Sequence, residues 1–405
     1  MERWWSRQVP HPAIEVFGAF LKLGLTSFGG PIAHLGYFRQ EFVTRRGWVT
    51  DAQYADLVAL GQFLPGPTSS QVGFALGMLR AGAVGAVAAF VAFTLPSALL
   101  MGAAAAGATL LGGPVADGVV HGLKIVAVAI VAYAVWGMAR TLAPDVPRAS
   151  IAAGAAVLAL LIAGSAGQLL AIGLGAAAGM LLSRGPVTSA DSDPMRFPVR
   201  PAIGILCLIL FVLLLAALPL VALLTASSAA SLFEAFYRAG ALVFGGGHVV
   251  LPLLDSAVVQ TGWVSPEQFL TGYGAVQAVP GPLFTFAAYL GALSDVGPGG
   301  ILGAALAIVA IFLPGFLLIT GVMPFWNGLR RRWWAGPLLR GANAAVVGIL
   351  GAALYSPVFT TAVEGPSDLA LALICFALLA AWRCPPWLVV LVGAVGGVVL
   401  SALPA

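Results

Sequence analysis

The chain has 405 residues, of which 60% are hydrophobic and only 8% charged, with a mean hydropathy of +1.01. Soluble globular chains carry roughly 25% charged residues, so the composition excludes an ordinary soluble enzyme or binding module and makes a bilayer the expected solvent. The net charge of +4 comes from Lys and Arg spread over short loops rather than gathered into a stripe, which excludes nucleic acid as a partner and marks these residues as topology signals.

In chain order, MERWWSRQVPHP carries Arg3 and Arg7 but no short apolar run with a cleavage site, so it reads as a cytoplasmic tail. FLKLGLTSFGGP follows at Phe20 to Pro31, then a loop with Arg39, Arg45 and Arg46, then GWVTDAQY from Gly47 and GQFLPGP ending at Pro67. TLPSALL around Pro96 and HGLKIVAVAIV from His121 complete the strings of the first half. Each crossing needs about 20 apolar residues, and the apolar stretches are separated only by short loops, which leaves no room for a soluble domain. Cys207, Cys375 and Cys384 are scattered without metal or disulfide spacing; neither a metal nor another cofactor is expected.

The same strings recur in the same order. FYRAGALVFGGG at Phe236 to Gly247 matches the first segment, GWVSPEQF from Gly262 the second, and VQAVPGP ending at Pro282 the third. FLPGFLL around Pro314 and RGANAAVVGIL from Arg340 complete the set, at a nearly constant offset of roughly 215–219 residues. The chain is therefore duplicated, with expected units at 1–183 and 232–405 joined by 184–231, a cytoplasmic loop and a linking transmembrane helix.

The charges of matching loops are swapped. Arg39, Arg45 and Arg46 face Asp255 and Glu267; the loop near Asp117 faces Arg330, Arg331 and Arg332; Arg140 and Arg148 face Glu364 and Asp368. Short cytoplasmic loops carry the excess of Lys and Arg, so the halves are expected to insert with opposite topology. The apolar helix from about Ala202 to Leu224 supplies the odd crossing this requires. Parity closes most simply if each FGG segment and each PGP segment is a re-entrant hairpin, with the N-terminus cytoplasmic and the C-terminus external. The expected fold class is an all-α polytopic membrane protein of two homologous, inverted halves, with helices broken at FGG and PGP and one extra transmembrane helix between them.

Irregular backbone at membrane depth is tolerated only where it is buried in protein or lines a polar cavity, which makes the breaks informative. Pro65-Gly66-Pro67 ends one helix, and Thr68-Ser69-Ser70-Gln71 starts the next, with Thr68 as expected N-cap and Gln71 completing a capping box. A helix N-terminus with hydroxyl donors suits a tetrahedral dianion, and Gln62, one turn earlier, could donate to the same space. The plainer alternative is a kinked helix whose hydroxyls bond their own backbone. In the second copy Pro280-Gly281-Pro282 is followed by Leu283-Phe284-Thr285-Phe286, so Thr285 alone keeps a hydroxyl, with Gln277 in the place of Gln62. Phe284 and Phe286 are expected as an aromatic wall or gate, or as ordinary packing.

Ionisable residues inside apolar segments are costly and usually functional. Lys22 and Arg238 match across the copies and are candidate anion ligands, as are Lys124 and its neutral counterpart Asn343, with snorkelling to the headgroups as the competing reading. Gly29 and Gly30, with Gly245, Gly246 and Gly247, are candidate hinges. His34 and His248 could couple transport to protons, although a lone histidine is more often structural. Glu41, Asp56 and Arg80 read as edge residues in salt bridges or solvated faces.

FGGP with its basic loop, GWVTDAQY and QFLPGPTSSQVGFALG resemble the signature of the chromate ion transporter (CHR) family. FGGGHVVLPLL and VPGPLFTFAAYLG are similar to the second domain of its long, two-domain members. The resemblance covers nearly the whole chain. It implies chromate efflux and chromate resistance at the cell membrane, driven by the membrane potential or a proton gradient, with sulfate as a near-isosteric competitor. Expected partners are thus chromate or sulfate, the bilayer and a second copy of the chain in a homodimer. Sulfate uptake or exchange is the rival within transport. An intramembrane enzyme acting on lipid is disfavoured by the lack of a Ser/His/Asp set, metal cluster or paired acids at depth.

Overall fold

Glycine sets the first turn of the chain. Gly29 and Gly30 have φ of 98° and 77°, values that strain any residue with a Cβ, and they reverse α1 (Pro12–Thr26) into α2 (Gly30–Phe38) and its π-helical continuation Arg39–Arg45. The limbs are antiparallel: Phe20 stacks on Phe42 at 4.8 Å and meets Phe38 edge-on at 5.5 Å, while Lys22 reaches Glu41 at 3.5 Å and Arg46 reaches Glu15 at 3.3 Å. The FGG segment is thus built as a hairpin. Glu41 is a buried hub that also holds Arg45 and Arg46, and Glu15 takes Arg80 at 2.7 Å.

The computed structural model describes residues 12–110, 113–162, 164–182, 197–244, 247–329 and 332–402. Arg3, Arg7, Gly245, Gly246, Arg330, Arg331 and the start of the linker fall outside them. Every described element is helical.

A capping box of Thr50 and Gln53 opens α3 (Asp51–Phe63), which ends at the first PGP. α4 (Thr68–Leu110) then leaves helical geometry at Ala81 and Gly82, so its first limb folds back and Gly77 packs against Gly85 and Ala89. Gly61 lies against Thr68 and Val72, so α3 and that first limb also double back at PGP. Next come α5 (Pro114–Leu142), α6 (Val146–Leu161), α7 (Ser165–Leu182) and the linking α8 (Pro201–Thr225).

The second half repeats the order. α9 (Ser228–Ala241) pairs with α10 (Val250–Leu254) and its π-helical extension Asp255–Val259. A second capping box, Ser265 with Gln268, opens α11 (Pro266–Val276). A short 3-10 turn at Leu283–Thr285 leads into α12 (Phe286–Leu293), and Gly291 lies against Gly303 at the start of α13 (Gly300–Val322). α14 (Trp326–Leu329), α15 (Ala335–Ala353), α16 (Thr360–Ala362), α17 (Pro366–Ala380) and α18 (Pro386–Ala402) complete the chain.

The halves exchange helices. α5 packs on α17 and α18, and α15 packs on α6 and α7. Lipid supplies no hydrophobic drive between helices, so close backbone approach through small residues does that work. Gly118 meets Val398 and Ser401, Gly122 meets Gly393, Gly179 meets Pro337 and Gly341, and Gly348 meets Ala152. α8 is peripheral, with Leu206, Leu213 and Leu223 exposed on its outer face and Gly204 set against Gly321 and Pro324. Among the described residues five helices are long and apolar enough to cross a membrane, and the chain is a multi-pass membrane protein of two similar halves.

Gly122→Leu is expected to lower the thermal unfolding midpoint in detergent, because overpacking costs about 1–3 kcal/mol or more. Gly137→Leu on the same helix, where a Cβ meets nothing within 4 Å, should leave the midpoint unchanged. Equal shifts would contradict the packing described.

Candidate functional site

Each PGP break is closed by the other half. Gly66 and Gly281 have φ of 122° and 105°, a conformation for which glycine is required. The Gly66 N–H donates to Val243 O at 2.7 Å and the Gly281 N–H donates to Ser27 O at 2.9 Å. Ser27 and Val243 are matching positions, each directly before a Phe-Gly-Gly. The same exchange governs packing: a Cβ at Gly66 would lie 3.1 Å from Gly315 Cα, and one at Gly281 would lie 2.7 Å from Ser97 Oγ. Ser97 and Gly315 follow the helix prolines Pro96 and Pro314. A Cβ at Gly247 would stand 2.9 Å from Cγ of its counterpart Pro31. The described residues flanking both FGG motifs, both PGP breaks and both proline kinks therefore meet in one crossing.

In the first half, the Gln71 N–H donates to Pro67 O at 2.9 Å and makes the first helical bond of α4. The amides of Thr68, Ser69 and Ser70 precede it and form the leading turn. The expected capping box is not formed: Thr68 Oγ1 donates to Gly61 O at 3.2 Å, and Gln71 Nε2 donates to Pro65 O at 2.9 Å and to Gly315 O at 3.1 Å. A carbonyl can only accept, so the Gln71 amide serves as donor to the PGP turn and to α13 alike. Gln71 thereby ties the restart to the other half's proline kink.

His34 is fully buried and edge-on to Phe93 at 5.3 Å. Its Nε2 stands 3.2 Å from Ser27 O and its Nδ1 3.4 Å from Ser69 Oγ. A carbonyl only accepts, so Nε2 is the donor, and in the neutral ring Nδ1 accepts from the Ser69 hydroxyl. His34 thus joins the FGG turn to the PGP restart. His248 is half-buried, with Nδ1 2.8 Å from Tyr273 OH.

Among the described residues, the buried Ser and Thr hydroxyls Ser27 Oγ, Ser70 Oγ and Thr94 Oγ1 have no hydrogen-bond partner, and neither has Gln277 Nε2. Each hydroxyl belongs to the crossing or adjoins one of its residues. Ser27 and Thr94 were absent from the sequence-based candidates, although both stand in the repeated strings, TSFGGP and TLPSALL. In the second half, Thr285 Oγ1 donates to Pro282 O at 2.7 Å, so its donor is used. Phe284 packs on Phe312 at 5.7 Å, and Phe286 on Phe269 at 5.1 Å and on Tyr273 at 5.9 Å; both rings are buried in a packed aromatic wall. Gln62 is exposed.

The expected cations are paired with carboxylates, including the buried Lys124. Lys22, with its side chain 55% exposed, is held by Glu41, and Arg238 by Glu234 at 3.0 Å. Lys124 reaches Glu364 at 3.9 Å, one turn from the His121–Asp368 pair at 2.9 Å, and its counterpart Asn343 lies on α15 with Oδ1 enclosed. A cation in an apolar setting takes the nearest carboxylate; for Lys22 and Arg238 that acid lies within the same hairpin.

A family model described as chromate transporter matches residues 14–180 and again 230–398. The chain belongs to the chromate transporter family. The two matched regions coincide with the two halves, and the family is one of transporters rather than enzymes. A probable chromate transport protein of Synechococcus elongatus is 29% identical over 400 residues, 96% of each chain. Chromate transport proteins of Pseudomonas aeruginosa and Cupriavidus metallidurans are each 28% identical, over 89% of this chain and 85% and 86% of their own. No solved structure matches the chain significantly.

Gly66→Ala and Gly281→Ala are each expected to cost about 1–3 kcal/mol in unfolding free energy through backbone strain. Gly18→Ala, where a Cβ meets nothing within 4 Å, should cost nothing measurable in the same assay.

Proposed function

We propose that the chain exports chromate across the cell membrane, taking the dianion at the crossing of the two PGP breaks. The observation that carries this reading is the reciprocal closure of those breaks, Gly66 on Val243 and Gly281 on Ser27. It holds a helix N-terminus, with the leading amides of Thr68, Ser69 and Ser70, deep in the protein, where a partial positive charge and free donors suit an oxyanion. The unpartnered hydroxyls of Ser27, Ser70 and Thr94 add neutral donors. The names of the relatives support chromate as the substrate.

The halves are oriented oppositely in this reading, with the N-terminus cytoplasmic and the C-terminus external. Contacts between the halves support it. Gly118 near the start of α5 meets Val398 near the end of α18, and Gly179 near the end of α7 meets Pro337 near the start of α15. Tracing the chain from a cytoplasmic start puts both members of each pair at the same end of the bundle. Lys22 and Arg238 act as vestibule charges that draw the anion in, their carboxylates keeping them from trapping it.

The test is flux of labelled chromate into proteoliposomes, with sulfate as competitor. Ser70→Ala with Thr94→Val, which removes two unpartnered donors, should slow flux about tenfold or more, since a hydrogen bond to a charged group is worth about 1.5–3 kcal/mol, whereas Thr285→Val, whose hydroxyl already donates to Pro282 O, should have little effect. Equal losses would remove the asymmetric site, and sulfate flux without chromate flux would reassign the substrate.

A further inference from the structure

A second polar site lies away from the crossing, in a cavity of about 170 Å³ between α6, α7, α10 and α15. Its lining includes Leu160, Gln168, Pro252, Asp255, Gln260 and Ser356. Asp255 is only 3% exposed. Gln260 Nε2 donates to its Oδ2 at 3.0 Å, and its Oδ1 has no partner. Gln168, 8% exposed, donates Nε2 to Pro252 O at 3.0 Å and to Ser256 Oγ at 2.8 Å. A carbonyl cannot donate, so the amide is fixed in this orientation. Its Oε1 is a second enclosed acceptor without a donor.

Glu41 is held by Lys22, Arg45 and Arg46 and Glu234 by Arg238, and Asp368 takes the His121 ring. Asp255 has only a neutral amide. Burying a carboxylate away from any cation is costly unless its charge is removed, so this site calls for positive charge. Asp255 alone of the lining residues is ionisable. Of the elements packed on its segment, α9 carries Glu234 and Arg238, which pair with each other, and α11 carries the exposed Glu267 and Tyr273, which is bonded to His248. A metal ion such as Ca²⁺ takes 6–8 oxygen ligands, whereas a proton needs one oxygen to hold it and one acceptor.

We infer that Asp255 is a proton-binding site of the transport cycle, with Gln168 its companion acceptor. This rests on the transport reading given above. Protonation converts the carboxylate to a carboxyl whose O–H is the donor that these enclosed oxygens lack, and release returns the proton to solvent. Asp255 stands on the return limb of the second hairpin beside Ser256, which accepts from Gln168 on α7 of the first half, so gaining or losing the proton acts next to a contact between the halves. The matching limb of the first hairpin holds its acid, Glu41, in ion pairs, which confines the proton to one side.

Two measurements on the full-length protein separate the claims. Infrared titration in detergent should show a protonated-carboxyl C=O band that rises as pH falls and is absent in Asp255→Asn; Gln168→Leu should keep the band and shift its midpoint. An unchanged band in Asp255→Asn, or an unshifted midpoint in Gln168→Leu, would overturn the assignment. Displacement of the band by Na⁺ at fixed pH would also overturn it, by giving the site to that ion. In proteoliposomes clamped at zero membrane potential, a pH gradient should accelerate wild-type chromate flux, and Asp255→Asn should retain flux while losing that response. A response unchanged in the variant would refute the site, whereas absence of wild-type flux would refute the transport reading and leave the infrared result to stand alone.

Discussion

Two hydrogen bonds hold the centre of this protein, and each runs between the halves. A backbone broken at membrane depth exposes N–H and C=O groups that lipid cannot satisfy. Gly66 finds its acceptor at Val243 and Gly281 at Ser27. Each PGP break is closed by the opposite half, so the two halves depend on each other at the centre. The exchange extends outward: α5 packs on α17 and α18, and α15 on α6 and α7, through glycines that permit backbone contact.

Within that shared frame the halves have diverged in chemistry. The first copy presents Thr68, Ser69 and Ser70 at its restart, ties the turn with Gln71 and places His34 between Ser27 and Ser69. The second copy has Leu283, Phe284, Thr285 and Phe286 at those positions and packs Phe284 and Phe286 among Phe269, Tyr273 and Phe312. One side of the crossing is polar, the other aromatic and apolar. The outer limbs diverge as well. Glu41 gathers three cations, whereas Asp255 at the matching level has none.

Much of this was legible in the sequence because repeated strings report backbone constraints. FGG and PGP marked the breaks, and the glycines of each PGP proved to need positive φ. Side-chain destinations were not legible, since they depend on which half lies opposite. Gln71 looked like a local cap but reaches Gly315 across the interface. Lys22 and Arg238 looked like a converging pair, yet each takes a carboxylate inside its own hairpin. Ser27 and Thr94 lay within strings already aligned; nothing local distinguished them from hydroxyls bonded to their own helix.

The location of the bound anion tests this account most directly. Crystals of the protein soaked with chromate, measured at the chromium absorption edge, would place the metal by its anomalous signal. A single peak within hydrogen-bonding reach of the Thr68, Ser69 and Ser70 amides, between Gly66 and Gly281, is the predicted result. A peak beside Lys22 and Glu41, or in the Asp255 cavity with the crossing empty, would contradict it.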